Sequence, residues 1–132
     1  ICWAPDLDRL AQLIAERLRP GGSVLLAEHH PLWEVLGVRA EDHVVVNGDY
    51  FGRSTPDEDN DDDKRPKGAR GEADAPPLTS FVWPVADVVA AFINAGLRID
   101  AFRELPEPAM YSRLGAAAAY LPAIYVIKAT RP

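Results

Sequence analysis

The sequence predicts an α/β fold, a sheet flanked by helices, and three observations carry that reading. Residues 6–19 place Leu7, Leu10, Ala11, Ile14 and Leu18 on one helical face. Pro20-Gly21-Gly22 then stops the helix and delivers the chain into Ser23–Glu28, a strand pattern. A second helix pattern begins near Pro84, with Val85, Val88, Val89, Phe92 and Ile93 on one face, and runs into another strand.

The elements follow in order. Pro5 and Asp6 suit the first turn of the first helix, where a missing N–H and a negative charge are tolerated. Arg17 and Arg19 complement the negative end of its dipole. Val24 to Ala27 show no polar alternation, which predicts a strand covered on both faces, as in a parallel sheet. Val44–Val46, Asn47-Gly48 and Tyr50-Phe51 read as strand, tight turn and return, an ordered hairpin over residues 43–52. Residues 54–77 mix charges, glycines and prolines and bury too little to order themselves. Pro84 is placed as the first residue of the second helix and Gly96 as its C-cap. Leu97, Ile99 and Ala101 then alternate with Arg98 and Asp100. A long connection over residues 105–122 leads to a last strand, Ala123 to Thr130. The chain is thus one partial domain over residues 1–132, with residues 32–77 as an insert.

Composition narrows the function classes. The 132 residues suffice for one core, and 48% of them are apolar. The net charge of −6 comes from the acid run Asp57–Asp63, outside which acids and bases are equal in number. That leaves no basic face for nucleic acid and no cationic helix for a membrane. No apolar run is long enough to span a bilayer, and charges within residues 1–20 argue against a signal peptide. One cysteine, Cys2, cannot pair internally and fits a reducing cytoplasm. The chain begins with Ile1 rather than Met, which suggests an upstream segment. Asp57-x-Asp59-x-Asp61 starts like a calcium loop, but Asp62 stands where glycine is required and Gly68 where a bidentate Glu is required. No metal site is expected.

Three blocks of the chain resemble the C-terminal half of a class I S-adenosylmethionine-dependent methyltransferase. They are Arg19-Pro20-Gly21-Gly22 with its strand, Ala95-Gly96-Leu97 closing the second helix, and the ending Lys128-Ala129-Thr130-Arg131-Pro132. Trp3-Ala4-Pro5-Asp6-Leu7 and Glu28-His29-His30-Pro31 are similar to stretches of a bacterial small-molecule branch, as are Tyr50-Phe51 and Phe81-Val82-Trp83. Pro84 departs from that branch, which often has a polar residue there. The resemblance implies a Rossmann-like sheet of mixed direction, with the last strand antiparallel beside strand five. It implies methyl transfer from S-adenosylmethionine to a small-molecule acceptor. It also places the cofactor cradle in an N-terminal half that this sequence lacks, since no Gly-x-Gly follows a strand here. Cys2 and Trp3, after strand four, are the positions left to touch the cofactor, and the fragment alone is expected to be inactive.

The acceptor side is assigned residue by residue. His30, at the end of the first strand, reads as a general base or substrate donor, and equally as a strand-end cap. His29 reads first as a solvent-facing residue, and Glu28 as orienting a substrate amine or pairing with a cation. Trp3, Trp33, Tyr50 and Phe51 are candidate pocket walls, Tyr111 a further one, and Trp83 a core residue. Cys2 reads as a small buried hydrophobe rather than a nucleophile. A contrasting reading is a non-catalytic module that pairs with a partner, or with itself, through an exposed sheet edge.

Overall fold

A computed structural model describes residues 1–39, 43–46, 48–52, 57–58 and 79–132. The first helix, α1, spans Leu7–Arg17. Asp6 caps it by accepting a hydrogen bond from the Arg9 N–H at 2.8 Å, so this residue lies just outside the helix rather than within its first turn. The exit is a tight turn in which the Gly22 N–H donates to the Arg19 carbonyl at 2.8 Å. Pro20 and Gly21 occupy its two central positions, and Gly21 takes a φ of 75°, as a type II turn requires. Gly22 is needed for space, because a Cβ there would sit 2.8 Å from the Arg19 carbonyl oxygen.

Strand β1 (Ser23–His29) pairs antiparallel with β7 (Ile124–Thr130), and β7 pairs antiparallel with β6 (Arg98–Leu105). The sheet order is β1-β7-β6, so β1 and β6 run parallel with a reversed β7 between them. The expected antiparallel last strand beside β1 is therefore present. The expectation that β1 is covered on both faces is corrected: its residues alternate exposed and half-buried, and Leu25 is 70% exposed. The helices α1 and α3 (Val85–Asn94) pack against one face, burying Leu7, Ala11, Val88, Ala91 and Phe92 over Tyr125, Ile127 and Ala129.

Helix α3 is shifted slightly from its predicted outline. Pro84 is its N-cap, with ψ of 138°, and its carbonyl accepts from the Val88 N–H. The buried stripe is Val85, Val88, Ala91 and Phe92; Ile93 faces out. The end is a Schellman motif: the Gly96 N–H donates to the Ile93 carbonyl, and the Leu97 N–H to the Phe92 carbonyl. Gly96 supplies the φ of 80° that this motif needs.

In β6 the predicted alternation breaks at Asp100. Ile99 pairs with Ala129 and Ala101 with Lys128, so Asp100 is an extra residue in a bulge. Asp100 accepts hydrogen bonds from the Thr130 hydroxyl and from Arg98 Nε, which fix the bulge to both strands. These two donors hold its carboxyl below the usual carboxylate range. Beyond the bulge, Ala101 lies on the face opposite Ile99, against the predicted pattern. Glu104 instead shares a face with Tyr125, its register partner, and hence with Glu28.

The insert starts with a short helix, α2 (Leu32–Val35), and a hairpin of β2 (Leu36–Arg39) with β3 (His43–Val46). The predicted hairpin is thereby corrected. Val44–Val46 pair backward with Leu36–Val38, not forward with Tyr50-Phe51. Gly48 is required for close packing, since a Cβ there would lie 3.1 Å from the Val35 Cα. Asn47 and most of the predicted loop 54–77 lie outside the described residues. Within it, β4 (Asp57–Glu58) pairs antiparallel with β5 (Thr79–Ser80). The connection over residues 105–122 contains a kinked 3₁₀ segment, Ser112–Tyr120. It builds a second core, in which buried Tyr111, Ala118 and Ala123 meet Trp33, Leu36 and Leu121. Among the described residues no helix is long and apolar enough to cross a membrane.

Candidate functional site at the carboxyl end of the sheet

The carboxyl ends of β1 and β6 lie at the same end of the sheet, where open α/β folds place ligands. A cavity of about 40 Å³ opens there beside β1. Its wall includes Ile1, Cys2, Glu28, His29, His30, Glu34, Phe81, Trp83 and Tyr125. The volume holds one or two water-sized groups, so a larger ligand would enter through its open side.

Glu28 reaches this cavity because it lies on the half-buried face of β1, opposite Tyr125. Its carboxylate accepts from the Ile1 amino group at 2.7 Å and from the His29 N–H at 2.9 Å. Burial would raise its pKa, but these two donors outweigh burial and hold the carboxyl below its ordinary range. Tyr125 is almost wholly buried, and burial, reinforced by Glu28, pushes its hydroxyl well above the ordinary phenol range. Burial, with Glu28 adding to it, likewise raises the Cys2 thiol. The cavity thus presents a protonated thiol and phenol beside an ionised carboxylate.

The aromatic wall differs from the sequence expectation. Trp83, read as core, does pack against the main core, and it also lines the cavity, stacks on Phe81 with ring centroids 6.1 Å apart, and donates from Nε1 to the Ala4 carbonyl at 3.1 Å. Trp3, read as a pocket wall, is 47% exposed and does not line it. Trp33 and Tyr111 pack edge to face at 5.5 Å in the second core, and the Tyr111 hydroxyl donates to the Pro122 carbonyl. Neither lines the cavity. Tyr50 stacks on His30 and accepts from the Val85 N–H at 3.4 Å, so the turn of residues 48–52 is seated between β1 and the start of α3. Phe51 packs on Tyr50 but is 72% exposed.

His30 is brought to the site, but not with a free nitrogen. Nε2 lies 3.0 Å from Glu104 Oε1, and Nδ1 accepts from the Leu32 N–H at 3.2 Å. The general-base role read from the sequence needs a lone pair aimed at the acceptor, and this arrangement offers none. Glu104 was missed by sequence reasoning. The available signal was Phe102, an apolar residue out of phase with Ile99, which betrays the bulge that turns Glu104 inward.

Gly21 and Gly22 sit at the amino end of β1, bonded to Arg131, away from the cavity. Cys2 lines the cavity wall, and its carbonyl accepts from the Phe81 N–H at 2.7 Å. The described residues therefore contain no glycine-rich cradle at the cavity; Cys2 is the predicted cofactor contact that borders it.

No known family model matches the chain, and no curated protein matches it. Solved structures do. An S-adenosylmethionine-dependent methyltransferase from Mesorhizobium loti matches with a TM-score of 0.65 and 18% identity, over 98% of this chain and 57% of that one. A Listeria monocytogenes protein assigned to the same activity matches with a TM-score of 0.66 and 16% identity, over 99% of this chain and 57% of that one. The chain thus spans 57% of the length of each relative. Its strand order, its reversed last strand and these two structures agree that it adopts part of the class I methyltransferase fold.

Proposed function

We propose that this chain is the acceptor-side part of an S-adenosylmethionine-dependent methyltransferase that acts on a small molecule. The observation that carries the reading is the β1-β7-β6 order with a small cavity, open on one side, at the carboxyl end of β1. The chemistry is in-line displacement of the methyl group from the sulfonium by an acceptor atom. This chain contributes positioning and exclusion of water rather than covalent chemistry. Glu28 orients a cationic or hydrogen-bonding acceptor, Phe81 and Trp83 supply an apolar wall, and Tyr50 covers the insert side. Cys2 and Trp3 form the border toward the cofactor, whose cradle belongs to another part of the protein. The single cysteine fits a cytoplasmic setting.

The test is calorimetry with S-adenosylmethionine on this polypeptide and on one extended by an N-terminal cofactor-binding half. The expected result is no micromolar binding by the former and clear binding by the latter. Binding by the 132 residues alone would show the cofactor site to be misplaced. No binding by the extended protein would remove the methyltransferase reading.

A second reading has one observation in its favour. Among the described residues β1 pairs only with β7, which leaves one edge open beside exposed Leu25. A non-catalytic module pairing through that edge would self-associate or take a partner strand. A strictly monomeric, well-folded chain in sedimentation would argue against it.

A further inference from the structure

His30 is 5% exposed, and each of its polar atoms has a partner. Its N–H donates to the Ala123 carbonyl at 2.8 Å, and its carbonyl accepts from the Trp33 N–H at 2.9 Å. A backbone N–H can only donate, so Nδ1, facing the Leu32 N–H, is the unprotonated nitrogen. The ring proton then sits on Nε2, where the Glu104 carboxylate accepts it at 3.0 Å. Two rings also lie near the imidazole: Tyr50 stacks at 6.5 Å, and Tyr125 lies nearly perpendicular at 6.4 Å.

We propose that Glu104 is a positioning residue that locks His30 in the Nε2–H tautomer, so that His30 seats Tyr50 against the cavity's His30 wall instead of acting as a base. The lock ties the carboxyl end of β6 to that of β1 and to the turn carrying Tyr50. It exists because the Asp100 bulge puts Glu104 on the Tyr125 face; without the extra residue Glu104 would point to the other side of the sheet. The consequence for the reaction rests on reading the cavity as the acceptor site. With His30 committed, the acceptor atom must already be nucleophilic, or must lose its proton to another group.

The experiment is long-range ¹H–¹⁵N NMR of the full chain at about pH 8, above the ordinary histidine range, with ring-to-ring NOEs between His30 and Tyr50. The wild type is expected to show Nδ1 unprotonated, Nε2 protonated and the NOE present. Glu104→Gln, which keeps an acceptor oxygen, is expected to retain both. Glu104→Leu is expected to lose the His30–Tyr50 NOE while the amide signals of β7 stay in place. A protonated Nδ1 or averaged tautomers in the wild type overturns the lock. So does an unchanged NOE in Glu104→Leu, and the wild-type tautomer decides the matter even where that variant folds poorly. A locked His30 in a protein whose extended form never binds S-adenosylmethionine would overturn the functional reading alone.

Discussion

Arg131 closes the structure by reaching back to Leu18: its Nη1 donates to the Leu18 carbonyl at 2.7 Å, and also to the Ala15 carbonyl at 3.1 Å. Both carbonyls belong to the end of α1, whose last C=O groups have no partner within the helix. The guanidinium both satisfies them and sits at the negative end of the helix dipole. The Arg131 backbone meanwhile pairs with Gly21 and Gly22. The Pro-Gly-Gly turn and the Thr-Arg-Pro ending are thus two sides of one joint.

Arg131→Ala is expected to lower stability by about 2 kcal/mol, the range of charged hydrogen bonds to a helix end. Arg131→Lys should recover part of it, because the ammonium keeps the charge at the helix end but is more strongly hydrated than the guanidinium. Arg98→Ala, at an exposed ion pair, should cost less than about 1 kcal/mol. Urea midpoints compare the three; equal losses would deny Arg131 its capping role.

Gly21→Ala should cost about 1 kcal/mol, because alanine resists the positive φ. Gly22→Ala should cost more, since its Cβ would clash with backbone rather than with a movable side chain. Reversal of that order in denaturant unfolding would contradict the turn geometry.

The raised thiol of Cys2 predicts slow alkylation. At neutral pH its reaction with iodoacetamide should lag free cysteine, and should accelerate only further into the alkaline range. Glu28→Gln should speed it modestly by removing the negative neighbour. A rate matching or exceeding that of free cysteine would mean that Cys2 is neither buried nor near Glu28.

In the 132-residue polypeptide, where the Ile1 amino group is free to donate to it, Glu28 has a lowered pKa in the folded state. Its contribution is therefore fully present above the unfolded carboxylate value, about 4.3, and is lost as pH falls through the folded value. Urea midpoints taken from about pH 6 down to about pH 3 should fall more steeply for the wild type than for Glu28→Gln. Parallel curves would remove the Glu28 contribution.

On the proposed methyltransferase reading, Tyr50→Ala in the N-terminally extended protein should lower kcat/KM by about tenfold, or 1.4 kcal/mol of transition-state stabilisation. Tyr50→Phe keeps the ring on His30 and loses only the long bond from Val85, so its effect should be several-fold smaller. An equal loss in both would make the hydroxyl, not the ring, the functional part.

Local signals in the sequence determined much of this protein. The amphipathic stripe of α1, the apolar run of β1, the glycines at positions 21, 22 and 96 and the last strand all act within a few residues of themselves. A helical period or a required positive φ needs no distant partner, so these elements stand where their residues place them. What depends on distant partners was decided only in the tertiary structure. Val44–Val46 suit either neighbour, and packing of Gly48 against Val35 favours the pairing with β2. Trp3 and Trp83 are chemically alike; the hydrogen bond to the Ala4 carbonyl and the stack on Phe81 put Trp83 at the cavity and leave Trp3 half-exposed. One extra residue, Asp100, held by Thr130 from 30 positions away, exchanges the faces of β6 and turns Glu104 toward His30. Strand alternation carries no record of such a phase change until the partner strand is in place, and the chemistry open to His30 follows from it.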